Sequence, residues 1–251
     1  MATKKPEPQR VALVTGGAVR LGRAIALGLA RSGYDLAITY QSSEGPARSL
    51  QSEAAAGGRR CEAFQADLSQ PSAADAVVAA VRAAYGRLDL LVNSAASFEA
   101  RPLLDVDADA WDAVMDLNLR APHLLVRAAA DLLRASRGNV VNIADLAAFQ
   151  APWTEHPDHA VSKSALAHLT RIQARVLAPE VRVNAVAPGA VLPPEGYSDD
   201  RLRALAAGSP LKRLGTPDDV VQAVLYLTSA PFVTGHVLVV DGGRLLGPSP
   251  T

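Results

Sequence analysis

Cysteine is almost missing from this chain: Cys61 stands alone in 251 residues. One thiol makes no internal disulfide and builds no thiolate metal site, so a disulfide scaffold is excluded. Net charge is missing as well. Twenty-five Lys and Arg face 25 Asp and Glu, a formal charge of zero, which gives the whole protein no attraction to nucleic acid or to an anionic membrane. No stretch of about 18 uncharged apolar residues occurs, so no membrane span is expected. Residues Met1 to Pro6 carry charge with no apolar stretch behind them. That argues against a secretory signal and for a cytoplasmic protein. Residues 1–9 and 247–251 read as loose tails.

The apolar share is 49% and the charged share 20%, which is ordinary for a globular chain with a real core. Short apolar runs alternate with longer amphipathic ones. The predicted strands are Val11–Thr15, Asp35–Tyr40, Cys61–Ala66, Leu88–Asn93, Gly138–Ile143, Val181–Val186 and His236–Val240. They are apolar nearly throughout, as strands covered on both faces are. Between them, Leu21, Ile25 and Leu29 repeat at helical spacing, and Ala76–Tyr85, Trp111–Leu133, Ser162–Leu177 and Asp218–Leu227 behave alike. Pro71 and Pro217 fit the first turns of helices. The expected fold is therefore α/β: one doubly wound domain over residues 10–246, with a central parallel sheet of about seven strands. Residues 188–215, rich in Pro and Gly, break the periodicity after a strand end. They read as a substrate lid, or else as a plain surface excursion.

Chemistry concentrates at the strand ends. Thr15-Gly16-Gly17-Ala18-Val19-Arg20-Leu21-Gly22 joins the first strand to the first helix, where helix N–H groups and glycines let a phosphate approach. The second strand ends Tyr40-Gln41-Ser42-Ser43 with no acid before Glu44. A carboxylate that would read the ribose 2′-OH of NAD is lacking there, and Arg20 offers positive charge for a 2′-phosphate. The expected cofactor is NADP(H).

These motifs, with Asp67-Leu68, Val92-Asn93-Ser94-Ala95-Ala96-Ser97-Phe98, Asn118, Lys163, Val181-Arg182-Val183-Asn184, Pro188-Gly189 and Asp241-Gly242-Gly243, resemble the short-chain dehydrogenase/reductase family. The resemblance spans Val11 to about Leu245. Arg20 in place of the middle glycine, together with Ser97-Phe98 and Asp145, resembles the pteridine reductase branch, including dihydromonapterin reductases. It implies that Gly16, Arg20, Leu21, Gly22, Tyr40, Ser42, Ser43, Asp67, Leu68, Asn93, Ala95, Ser97, Lys163, Pro188 and Gly189 bind the cofactor. It also implies that Asn118, Asp145 and Lys163 belong to the catalytic set, that Phe98 stacks a flat pterin, and that the chain forms a homotetramer. Trp153 and His156 are further candidates for the pocket wall.

The family's catalytic Tyr-x-x-x-Lys is not matched. His159 stands four residues before Lys163, and no tyrosine lies between Tyr85 and Tyr197. On a helix, His159 and Lys163 share a face. A nearby Lys⁺ favours the neutral imidazole and an ionised Asp145 favours the charged one. An Asp145–His159 pair is thus a candidate proton-delivery unit. It suits a C=N substrate better than a ketone, which needs a donor aimed at a developing alkoxide. The expected activity is NADPH-dependent reduction of a pterin or dihydropterin. Reduction of another C=O or C=N substrate, or a catalytically impaired NADP(H)-binding sensor, remains open, with Asp145 then a cap and His159 a relic. His156 and His159 lie three apart across Pro157, which is poor metal-ligand spacing, so no metal is expected.

Overall fold

The computed structural model describes residues 9–150, 154–193 and 196–247. Seven strands form one parallel sheet: β1 (Arg10–Val14), β2 (Tyr34–Tyr40), β3 (Cys61–Gln65), β4 (Leu90–Asn93), β5 (Asn139–Ile143), β6 (Arg182–Pro188) and β7 (Val237–Val240). Their order is β3-β2-β1-β4-β5-β6-β7. The expected ends shift by one or two residues. Alternate side chains of a strand face opposite sides. In β1, Ala12 and Val14 enter one core, and Val11 and Leu13 enter the other. That is why these runs are apolar without alternation.

Eight helices cover the two faces: α1 (Arg20–Arg31), α2 (Glu44–Ala56), α3 (Ala73–Tyr85), α4 (Ala108–Met115), α5 (Ala121–Ser136), α6 (Pro157–Leu177), α7 (Asp199–Ala207) and α8 (Pro217–Ser229). Ile25 and Leu29 of α1 and Val220 and Val224 of α8 pack against Val14, Ile38 and Val186. Val77 and Val81 of α3 and Leu125, Ala129 and Leu133 of α5 pack against Leu13, Leu91 and Val140 on the other face. Each fully buried leucine or valine here contributes about 1.5–3 kcal/mol. Among the described residues, no helix is long and apolar enough to cross a membrane.

Four helix expectations are corrected. Pro71 does not enter a first turn: Ser72 precedes α3, which opens at Ala73. By contrast, Pro217 does open α8, behind a Thr216–Asp219 capping box. The single helix expected over Trp111–Leu133 starts earlier, at Ala108 behind the Asp107 cap. It also contains a wide π turn at Asp116–Arg120 before α5. Helix α6 starts at Pro157 rather than Ser162, which brings His159 into its first turn. Helices α2 and α7 were not expected. The first fully buries only Ala47, Leu50 and Ala54, and the second only half-buries Leu202, Leu205 and Ala206, so neither leaves a broad apolar stripe in the sequence. Helix α7 interrupts the segment read as irregular over 188–215.

Strands β1 and β4 are neighbours in space but not in sequence, so the chain leaves them toward opposite edges of the sheet. A crevice opens outside the carboxyl ends at such a switch point. The segments after all seven strands meet there.

Candidate active site

The turn after β1 is built for close approach. Gly16 has φ +61, and a Cβ on Gly22 would lie 2.2 Å from the Gly16 carbonyl oxygen. Two threonines fix the turn to its neighbours. The Thr39 hydroxyl accepts from the Gly16 N–H (3.1 Å), and the Thr15 hydroxyl accepts from the N–H groups of Ser94 and Ala95 (2.9 and 3.0 Å). Arg20 adopts φ +49, a left-handed conformation that glycine fills most readily. Its guanidinium donates to the Leu192 carbonyl at 2.8 Å, tying the turn to the segment after β6.

From this turn a cavity of about 790 Å³ runs along the strand ends. Arg20, Ser42 and Ser43 line one part, Asp67 and Leu68 follow, and Asp145, His159 and Lys163 lie farther along the sheet. Its lining suits an elongated anionic dinucleotide, with helix N–H groups and glycines at the turn. No carboxylate ends β2, and Glu44 instead takes Arg48 at 2.6 Å. The Ser69 hydroxyl and N–H bond Asp67, which holds its carboxyl below the usual range.

His159 sits in a buried hydrogen-bond network, with Asn118 Nδ2 3.4 Å from its Nδ1. The Asn118 Oδ1 accepts from the Ser97 N–H at 2.8 Å. Its Nδ2 uses both hydrogens, on the Ser97 carbonyl and the Ser162 hydroxyl, each at 3.1 Å. Ser162 in turn donates to the His159 carbonyl at 2.7 Å. His159 Nδ1 lies 2.9 Å from the same Ser97 carbonyl. A carbonyl only accepts, so Nδ1 carries the hydrogen. Nε2 is thereby left facing Asp145, 3.6 Å from Oδ2 and without a hydrogen bond among the described residues. A neutral ring turned this way presents a lone pair to a carboxylate. Asp145 Oδ1 meanwhile accepts from the Ala147 N–H at 2.7 Å, capping a one-turn helix at 146–148. The side chain of Asp145 is 23% exposed and that of His159 only 5%, so the carboxyl is the accessible end of the pair.

Lys163 sits one turn after His159. Its ammonium is buried and donates to the Ile143 carbonyl at 2.7 Å. Burial lowers its pKa to about 8, partly opposed by the Asp145 carboxylate. Phe98 stacks on His156 with centroids 4.0 Å apart and meets the His159 ring edge-on at 4.8 Å.

Of the residues singled out in the sequence, Gly16, Arg20, Leu21, Gly22, Tyr40, Ser42, Ser43, Asp67, Leu68, Ala95, Phe98, Asp145, His156, His159, Lys163, Pro188 and Gly189 line the cavity. Asn93, Ser97 and Asn118 do not. Asn93 donates to Asn142 at 2.8 Å behind the site, and Asn118 stands behind the cavity wall against Ser97, Ser162 and His159 Nδ1. Trp153 lies outside the described residues. Sequence reading passed over Ser162, Thr15 and Thr39, which act through backbone groups that no spacing reveals. It also passed over Tyr197, Arg201 and Arg244, which line the cavity from the far edge.

A family profile described as Enoyl-(Acyl carrier protein) reductase matches residues 17–244. The chain belongs to the short-chain dehydrogenase/reductase family. The family makes it an oxidoreductase that works with a nicotinamide dinucleotide. It is 32% identical over 242 residues to the 3-oxoacyl-[acyl-carrier-protein] reductase FabG of Staphylococcus aureus, covering 94% of this chain and 98% of that one. It is also 32% identical over 244 residues to the L-rhamnose 1-dehydrogenase (NAD(P)(+)) of a Sphingomonas species, covering 93% and 95%. Among solved structures, a blue fluorescent protein from a metagenomic library, in complex with NADPH, matches with a TM-score of 0.87. Its identity is 36%, covering 94% of this chain and 97% of that chain.

Proposed function

We propose that the protein is an NADPH-dependent reductase of a C=N bond in a pterin or dihydropterin, of the pteridine reductase type, with His159 at the position of the family tyrosine. The observation that carries this reading is the turned imidazole. The Ser97 carbonyl takes the Nδ1 hydrogen, and Nε2 faces Asp145 Oδ2 at 3.6 Å on the cavity wall. When bound, the nicotinamide supplies a hydride to the substrate carbon. Asp145 delivers the proton to the ring nitrogen, and His159 behind it holds the proton in place. Lys163 offers its ammonium to the nicotinamide ribose. Asn118 keeps the Ser97 carbonyl in position and so fixes the tautomer of His159. Phe98 provides a flat face for the pterin.

The preference for NADPH rests on the missing acid at the end of β2 and on Arg20, Ser42 and Ser43 lining that end of the cavity. Residues 188–215, including α7, form the lid. The chain works in the cytoplasm as a homotetramer, a reading supported by the exposed apolar side chains Val161, Ile172 and Val176 on α6; light scattering that gives a monomer removes it. The relatives named as ketoacyl reductase and rhamnose dehydrogenase favour a second reading, in which the same pair protonates a carbonyl oxygen. NADPH oxidation followed by absorbance, with dihydrobiopterin and dihydromonapterin against acetoacetyl esters, separates the two. Turnover of the esters alone discards the pterin reading.

A further inference from the structure

The cavity does not end at the catalytic pair. Sheet order places Arg20, Ser42, Ser43, Asp67 and Leu68 at the ends of β1, β2 and β3, and Asp145 at the end of β5. Beyond them, past β6 and β7, the lining continues with Tyr197, Arg201 and Leu205 of the segment carrying α7, and with Arg244 after β7. Arg244 thus follows the strand farthest from β3, and its bond to the Leu205 carbonyl keeps the α7 segment beside it.

Both guanidiniums are held by neutral groups. Arg201 lies over the Tyr197 ring at 3.9 Å from its centroid. Arg244 donates to the Leu205 carbonyl at 3.3 Å. Among the described residues neither forms an ion pair, whereas Arg203, also on α7, is paired with Asp200 at 2.6 Å. Among the described residues no carboxylate of the lining forms an ion pair with either arginine. Asp67 holds Ser69, Asp145 faces His159, and Glu155 belongs to the loop before α6. Two uncompensated forked cations in one cavity wall match an oxyanion, which guanidinium binds through paired N–H donors.

We propose that Arg201 and Arg244 form an anion subsite, and that the substrate reduced here carries a carboxylate or phosphate group. This rests on the reductase reading and names the class of molecule that it acts on. The cation–π contact holds Arg201 ready on α7. The bond to Leu205 ties Arg244 to the same helix, so an anion between them also docks α7 onto the substrate.

The test uses the full chain saturated with NADPH. Three dihydropterins are compared for kcat/KM: dihydrobiopterin (neutral), dihydrofolate (carboxylate) and dihydroneopterin phosphate. A carbonyl set, ethyl acetoacetate against acetoacetate, runs beside them. Binding of folate and biopterin to the NADP⁺-loaded protein is read by calorimetry. The expected result is a preference for the acidic members of at least tenfold, falling at least tenfold in R201Q and in R244Q, with NADPH affinity within twofold of wild type. R201Q changes an exposed side chain, and R244K keeps the charge near Leu205 while losing the fork, so misfolding does not mimic the result. The carboxylate and phosphate arms show which oxyanion is taken. If only the carbonyl set turns over, with the acidic member preferred, the pterin reading falls and the anion subsite stands. Equal preference for acidic and neutral members, binding of neither probe, or an arginine variant that raises the NADPH KM instead overturns the subsite.

Discussion

Lys163→Met removes a buried ammonium while keeping the length and bulk of the side chain. At pH 7 Lys163 is protonated both in the folded chain and in the unfolded one. As pH rises, the folded chain gives up the proton near its lowered value of about 8, and the unfolded chain keeps it until 10.5. Between those values the unfolded state binds more protons, so stability rises with pH. The contribution is fully present above 10.5 and is lost as pH falls through about 8. Integrated from pH 7 to pH 9.5, it amounts to about 2 kcal/mol. Other groups move the opposite way over the same range. Burial pushes the Cys61 thiol up to about 12 and the Tyr85 phenol up as well, so each favours folding less as pH climbs past its unfolded value. Both are common to wild type and variant, and the difference between the two proteins cancels them. Urea denaturation at both pH values and one fixed protein concentration should show wild type gaining about 2 kcal/mol on Lys163→Met. A difference that stays flat, or that shrinks with pH, refutes the burial argument. The variant should also lose most of its turnover, since the cavity then lacks its central cation.

Further outcomes follow from the same geometry. Asp145→Ala should lower kcat by about two orders of magnitude, the usual scale of a positioned acid, with NADPH affinity nearly unchanged in a fluorescence titration; equal turnover removes Asp145 from the proton path. Asn118→Ala strips partners from the Ser97 N–H and the Ser162 hydroxyl, and should cost about 2–3 kcal/mol in chemical denaturation. Loss below about 0.5 kcal/mol would mean that water replaces the carboxamide without penalty. Gly22→Ala drives a methyl to 2.2 Å from the Gly16 carbonyl oxygen and should abolish cofactor binding in calorimetry. Arg20→Ala should raise the KM for NADPH about tenfold and leave that for NADH little changed; parallel changes for both would place Arg20 away from the 2′-phosphate.

The sheet was legible because burial on both faces writes an unbroken apolar run, and seven such runs appear in the chain. Helix α2 escaped because it buries only a narrow edge, Ala47, Leu50 and Ala54, after Gly45 and Pro46, and α7 because its Leu202, Leu205 and Ala206 are only half-buried. At the site, the spacing of His159 and Lys163 showed a shared helix face, and the place of His159 in the first turn, one turn before Lys163, became visible only with Pro157 at the helix start. Asp145 announced itself by its position after β5. Its two roles, capping Ala147 and facing His159, depend on which oxygen points where, and a sequence holds no such information. Asn93, expected at the cofactor, gives its Nδ2 hydrogen to Asn142 behind the site. Asn118, expected in the catalytic set, holds Ser97 and lies 3.4 Å from His159 Nδ1, a placement that no spacing reveals. Arg201 and Arg244 were invisible for another reason: they are 43 residues apart in number and line one cavity only because the segments after β6 and β7 come together there.

The wide turn at Asp116–Arg120 has a consequence for how this chain tolerates length changes. A π turn is an α-helix with one extra residue looped into it, so α4 and α5 keep the phase of an uninterrupted helix one residue shorter. Val114 upstream, Asn118 within the turn and Leu125 downstream are all buried, and Asn118 holds Ser97 from the widened stretch. Removing a single residue ahead of Asn118 would restore regular winding and keep the two helices in phase. The core would survive in such a chain, and the asparagine would turn away from Ser97. The active site is therefore encoded partly as a count of residues, and a deletion that changes no contacting side chain can erase it.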